Sequence, residues 1–326
     1  MNIYRSVVFL MLVSIAAGQS AWAADQVTDE YYRQTHSFSK PTTGHKDNPP
    51  EEQWDHLLPF FGKQLTAKGY HLPQPVGLTL VTTYVEQDLT LQNLRISDDG
   101  QNFAPVPFVA FDGAESKALA LEVKIDAWIL PFLNVYGILG VMDGEGKIPV
   151  QINIGGLLDA TGSALCAGVI KPPICSQDVN IEADPKYQGY NYGLGIVLAG
   201  GYESFFVAVP ITLVKSDLDI VSSEITSLAA EVLLGFSFKL NNGAVLEVFG
   251  GASYLDVDYL ATGFAPLSQI NPILPDINYE LDAQNSDKWN YILGGQYALS
   301  DKWQLQFQIG FGGSRTQGTF AGTYRF

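Results

Sequence analysis

The sequence predicts an all-β, transmembrane barrel: antiparallel, up-and-down, of about ten strands, preceded by a short N-terminal amphipathic helix. Three observations carry this. The last ten residues, Gln317 to Phe326, place bulky side chains at alternate positions (Phe320, Tyr324, Phe326) with small or polar ones between, the length and period of a tilted strand that crosses a bilayer. Period-two segments recur along the chain from about Val76. The connections between them alternate between short and long, as in barrels whose tight turns all lie at one end.

Taken in order, residues 1–23 read as a secretory leader. Arg5 is followed by an apolar run from Val7 to Ala17 and then by Ala21-Trp22-Ala23 ahead of Ala24, an A-x-A cleavage pattern. No Cys stands just after that point, so a lipoprotein anchor is not expected. Residues 24–75 form a periplasmic segment. Within it, Asn48-Pro49-Pro50-Glu51-Glu52 has the Pro and acids of a helix start. Trp54, Leu57, Leu58, Phe61 and Leu65 follow at helical spacing, and Gly69 stops the run. This predicts an amphipathic helix over about 50–68, bent at Pro59. Such a helix would lie on the periplasmic membrane face, plug the barrel mouth or pack on the rim.

Residues 76–326 are the expected barrel. Its strands fall at about 77–86, 118–128, 134–144, 189–201, 205–217, 224–240, 244–258, 288–299, 303–313 and 317–326. The clearest is Trp303 to Phe311, where every odd residue is apolar and every even one is Gln or Gly. Asn241-Asn242-Gly243 marks a tight hairpin. Long connections are expected at about 87–117, 145–188 and 260–287. Eight or twelve strands also fit, because Leu89 to Ile96 has strand character of its own.

A soluble β-sandwich alternates too. Against it stand apolar rows of nine to eleven residues, longer than the usual five or six. Aromatics gather near strand ends (Tyr190, Tyr192, Trp289, Trp303), where interfacial girdles sit. Composition agrees: 32 Gly, 16 Tyr and 18 Phe suit a β-rich chain. After the leader, the most apolar window, Ala127 to Met142, is broken by Pro131, Asn134, Gly137 and Gly140 and is too short for a spanning helix. A net charge of −16 without a basic cluster excludes nucleic acid as a partner.

The ending Tyr324-Arg325-Phe326 resembles the C-terminal strand of bacterial outer-membrane β-barrel proteins. The resemblance implies a place in the bacterial cell outer membrane, among outer-membrane lipid and lipopolysaccharide. It also implies that Tyr324 and Phe326 form the signal read by the barrel assembly machinery. Enzymes occur in this class: lipid A acyltransferases and deacylases, a phospholipase and proteases, commonly with a histidine base. Here His36, His45, His56 and His71 all precede the first strand, and no Gly-x-Ser-x-Gly, His-Glu-x-x-His or Cys-x-x-Cys motif occurs. No catalytic residue, cofactor or metal is expected. Asp143-Gly144-Glu145-Gly146 lacks the alternating acids of a calcium loop.

The inward face of the barrel is predicted to carry Glu122, Lys124 and Asp126 on one strand, Glu231 and Lys239 on another, then Glu247, Arg325 and the ladder Gln304, Gln306 and Gln308. These charges form either a paired polar core or a constriction that selects a small solute. Cys166 and Cys175, in an exported chain, predict a local disulfide. The leading functional expectation is a porin-like channel or transport protein for a small hydrophobic or neutral solute. The alternative is a closed structural or adhesion barrel acting through its long outer loops. A lipid-modifying enzyme is the third.

Overall fold

A computed structural model describes residues 54–67, 72–97, 99–160, 166, 171–202, 204–219, 225–265 and 276–326. The leader, His36, His45 and His71 lie outside the described residues. In chain order the strands are β1 (Val76–Ser97), β2 (Ala104–Pro105), β3 (Val109–Phe111), β4 (Ala114–Leu130), β5 (Leu133–Asn153), β6 (Asp178–Ala183), β7 (Lys186–Tyr202), β8 (Phe205–Leu218), β9 (Ile225–Lys239), β10 (Val245–Ala265), β11 (Ile277–Asn285), β12 (Trp289–Ala298), β13 (Trp303–Phe311) and β14 (Arg315–Arg325). Two short helices, α1 (Gly62–Thr66) and α2 (Ile154–Ala160), complete the set.

Ten strands close a ring by antiparallel pairing: β1, β4, β5, β7, β8, β9, β10, β12, β13, β14 and back to β1. The seam between first and last strand runs from Gly77 opposite Arg325 to Gln87 opposite Arg315. Closure gives the backbone of every ring strand a partner on both sides, the condition for spanning hydrocarbon. The ring matches the expected strand number.

The expected loops are in part strand instead, among the described residues. The strand expected to end near 86 runs on to Ser97, that near 144 to Asn153, and that near 258 to Ala265. Above the short β13–β14 hairpin, β11 bridges β10 directly to β1, so the barrel narrows from ten strands to eight. The chemistry of the two faces inverts along these strands while the β1–β4 and β5–β7 pairings keep one register; the bulge of β1 against β11, between Gln92 and Arg95, lies beyond the inversion. At membrane level the outward residues are Leu78, Leu80 and Tyr84 on β1, and Leu119, Leu121, Val123 and Ile125 on β4. Further out, the same face of β5 carries Asp143, Glu145 and Lys147, while Ile148 and Val150 point inward and are buried.

Aromatic pairs mark both boundaries. Trp303 packs on Tyr324 with centroids 5.0 Å apart at the end with the short turns, periplasmic in this class. Tyr254 meets Trp289 edge-on at 5.2 Å at the other. Ahead of the barrel, the helix expected over about 50–68 is helical only over Gly62–Thr66 among residues 54–67. Pro59 has no N–H to continue a helix and disfavours helical geometry at Leu58.

Candidate functional site

The barrel interior is the one place where the sequence expectation puts charge in a row. Its anchor is at the seam. Asp126 on β4 and Arg325 on β14 both lie opposite Gly77 of β1, one on each side. Because position 77 has no side chain, the two reach across it. Arg325 Nη2 donates to Asp126 Oδ2 at 2.9 Å, and Asn134 Nδ2 donates to the same oxygen at 2.8 Å. Arg325 Nη1 also donates to the carbonyl of Gln74 at 3.2 Å. The last strand is thereby tied to β4 across the first by one buried ion pair.

Other charges stack above it. Lys124 Nζ lies 4.6 Å from the centre of the Tyr136 ring, a cation–π contact. Asn191 donates its amide N–H to Glu122. Glu247 accepts from Ser237 Oγ at 3.1 Å and from Gln296 Nε2 at 3.4 Å. Glu231 lies opposite Ser253, whose hydroxyl accepts from Arg315 Nη2 at 2.8 Å. Of the residues expected inside, Glu122, Lys124, Asp126, Glu231, Glu247 and Arg325 are inward and buried. Lys239 is not among them: at the last position of β9 it is exposed. Arg315 belongs to the interior and escapes the sequence reading, although it shares the parity of Arg325 on β14. Four buried carboxylates thus face three cations, nearly balancing, as desolvated charges must.

Space between these groups is filled by aromatic rings lying over glycines on the paired strand. Tyr136 covers Gly195, where a Cβ would come 2.2 Å from the ring. Phe249 covers Gly294 and Phe206 covers Gly235 in the same way. Cross-strand cover of glycine by an aromatic restores packing that glycine lacks.

The outer layer is mainly apolar. Leu89, Ile148, Leu218, Ile225, Leu255, Val257, Leu281 and Ala283 meet in one buried cluster. Tyr187 enters it over Gly144, its hydroxyl 2.8 Å from that of Ser116. Burial pushes the Tyr187 phenol up to about 12, against the opposing pull of the Ser116 hydrogen bond. Beyond this cluster, β3 and β6 flank the outer end of β5 as a small separate sheet. The expected disulfide is present there: Cys166 and Cys175 are bonded, with Cα atoms 5.7 Å apart. The Cys175 carbonyl lies against α2 so closely that a Cβ at Gly155 would come 2.3 Å from it. Among the described residues no group of His, Cys, Asp and Glu is arranged to hold a metal ion, and the single described histidine, His56, is exposed ahead of the barrel.

A closed ring of ten antiparallel strands, greasy toward lipid and charged within, defines a membrane-spanning barrel of the outer-membrane class. No family model matches the chain, and no curated protein does. Among solved structures it is similar to the outer membrane protein OprG from Pseudomonas aeruginosa, at 11% identity and TM-score 0.41, over 78% of this chain and 98% of that one. It is also similar to the P. putida toluene transporter TodX, at 10% identity and TM-score 0.27, over 78% and 91%. The translocator domain of the autotransporter NalP from Neisseria meningitidis follows at 13% identity and TM-score 0.33, over 82% and 95%.

Proposed function

We propose that this protein is a closed outer-membrane barrel, non-enzymatic, whose work is done by the structured outer end rather than by an open lumen. One observation carries the reading: the inward side chains fill the barrel in two successive layers, a charged one and a mainly apolar one, and the charged and large apolar side chains of both are buried. An ion on the barrel axis would meet paired charges and then an apolar plug. The partners that fit are lipopolysaccharide and outer-membrane lipid around the barrel, the barrel assembly machinery acting on the strand that ends in Tyr324 and Phe326, and molecules met by the disulfide-stapled outer connection.

Refolded protein in planar bilayers tests this. Silence at every voltage, in the parent and in Glu122→Gln and Lys124→Met, is the expected result. Ion flow that changes when either charge is removed would overturn it in favour of a transport role. That second reading, a channel for a small solute, has its own observation. On the wall formed by β1, β12, β13 and β14, both side-chain amide atoms of Gln87, Asn290 and Gln308 are buried without a hydrogen-bond partner, as are Nε and Nη1 of Arg315. Groups of this kind suit a polar guest. A lipid-modifying activity would alter lipid A or phospholipid profiles on overexpression; unchanged profiles are expected.

A further inference from the structure

We propose that the segment Trp54–Thr66 is a membrane anchor that inserts Leu57, Phe60 and Phe61 into the periplasmic leaflet beside the barrel. This goes beyond the reading of the interior and does not depend on it. The segment is fixed to the barrel at one defined place. Between Trp128 and Leu130 the β4–β5 register shifts, leaving Ile129 as a bulge residue, and its carbonyl accepts the N–H of Phe60 at 2.9 Å. A bulge frees a backbone group from the ladder, and here the freed carbonyl holds the N-terminal segment.

Ile129 is also the last member of the lipid-facing row Leu121, Val123, Ile125 and Ala127 on β4. The segment therefore docks where the hydrocarbon-facing belt ends. What it presents there is apolar and uncovered: Leu57 is 86% exposed, Phe60 51% and Phe61 61%. Phe132, in the neighbouring β4–β5 turn, adds a fourth such side chain at 54%. Four large apolar groups exposed to water at one end of the barrel would be an aggregation hazard. As a continuation of the belt they have hydrocarbon for solvent, which commits the surface to lipid.

Local structure holds this surface rigid. The Trp54 indole N–H donates to the carbonyl of Leu58 at 3.1 Å. Its ring lies against Gly62, where a Cβ would come 2.5 Å from Nε1. Phe61 sits at φ 71°, a left-handed conformation that bulky residues rarely take. The chain turns at this residue, where the two phenylalanines project. Asp55, Lys63 and Gln64 supply the polar residues an interfacial segment also carries.

Cys166 and Cys175 are joined, so a single introduced cysteine can be labelled selectively. Leu57→Cys, Phe61→Cys, Phe132→Cys and Asp55→Cys would each carry a nitroxide, in the full chain refolded into phosphatidylethanolamine–phosphatidylglycerol vesicles. Collision with oxygen reports hydrocarbon; collision with a water-soluble nickel chelate reports solvent. The expected oxygen-to-nickel ratio at positions 57 and 61 equals that at 132 and exceeds that at 55 several-fold. Labels at 57 and 61 as open to nickel as the one at 55 would overturn the proposal. Labels shielded from both reagents would also overturn it, placing the segment against the barrel mouth or a second copy. Samples are scored only where the unboiled band on a gel shows a folded barrel, so a misfolded variant cannot pass for either answer.

Discussion

The ion pair at the seam invites the sharpest perturbation, because its geometry depends on an absent side chain. A Cβ at position 77 would sit 2.5 Å from Asp126 Oδ1 and 3.2 Å from Arg325 Cζ. Gly77→Ala therefore pushes the partners apart without removing either. At 2.9 Å and an effective dielectric of about 20, their attraction is about 6 kcal/mol before desolvation is counted. Both side chains are almost wholly buried (3% and 1% exposed), so solvent screens little of it. Arg325→Met leaves Asp126 charged with only Asn134 as a donor, and losses of about 3–5 kcal/mol follow when one member of a buried pair is removed. Gly77→Ala should cost about 1–3 kcal/mol, the range for overpacking. If both act through the same contact, the double variant costs less than the sum by about 1–3 kcal/mol. Urea unfolding in lipid vesicles, followed by tryptophan fluorescence, measures each corner of the cycle. Strict additivity, or an Arg325→Met variant as stable as the parent, would refute the claim that this pair fastens the seam.

Two further outcomes follow from the outer end. Tyr187 has its phenol raised to about 12 by burial, so its contribution is intact below its ordinary value of about 10 and is lost as pH climbs towards 12. Tyrosinate absorbance and loss of the outer layer should rise together in that window, and Tyr187→Phe should cost about 1 kcal/mol at neutral pH for the Ser116 hydrogen bond while removing part of the alkaline sensitivity. The pair Cys166→Ser and Cys175→Ser should release about 2–3 kcal/mol of restraint on the outer connection, seen as faster proteolysis there while the unboiled barrel keeps its gel mobility. A barrel that loses that mobility would show the staple to matter well beyond its loop.

The ring of ten is legible because at membrane level each strand obeys one rule: apolar residues such as Leu119, Leu121, Val123 and Ile125 alternate with Ala120, Glu122, Lys124 and Asp126. The inward positions of six of the seven expected charges follow from that parity alone. Lys239 shares the parity and still misses the interior, since a strand's last residue lies at the rim. Arg315 escapes a pattern that begins the final strand at Gln317, two residues late. The larger miss, the outer extensions, has a different cause. Along β1 the apolar parity passes from Leu78, Leu80 and Tyr84 to Val85, Leu89 and Leu91. A pattern search meets that flip as a break in alternation and ends the strand there. The backbone goes straight through. The docking of the N-terminal segment leaves no sequence trace at all, because a bulge carbonyl at Ile129 is a property of register rather than of residue type.

The same flip constrains how the molecule can work. Below it, hydrocarbon outside permits charge inside; above it, water outside requires an apolar interior, and one unbroken strand serves both. Passage along the axis would then need two unlike events. In the charged layer a polar solute could exchange partners with Glu122, Lys124 or Arg315 at modest cost, since hydrogen-bonding groups surround it. In the outer layer the same solute would meet only scattered hydroxyls and amides such as those of Tyr187, Ser216, Ser227, Tyr259 and Asn285, and an unpaired charge among Leu89, Ile148 and Leu281 carries a penalty of many kcal/mol. Neutralising a charge in the lower layer cannot relieve that penalty. Only separation of the packed outer strands could, and those strands are held by backbone pairing of β11 to both β1 and β10. On the proposed closed-barrel reading, the control of any flux would lie in the outer end, where β11 joins β1 and β10, and the charged row that stands out in the sequence would act first as the fastening of the barrel below it.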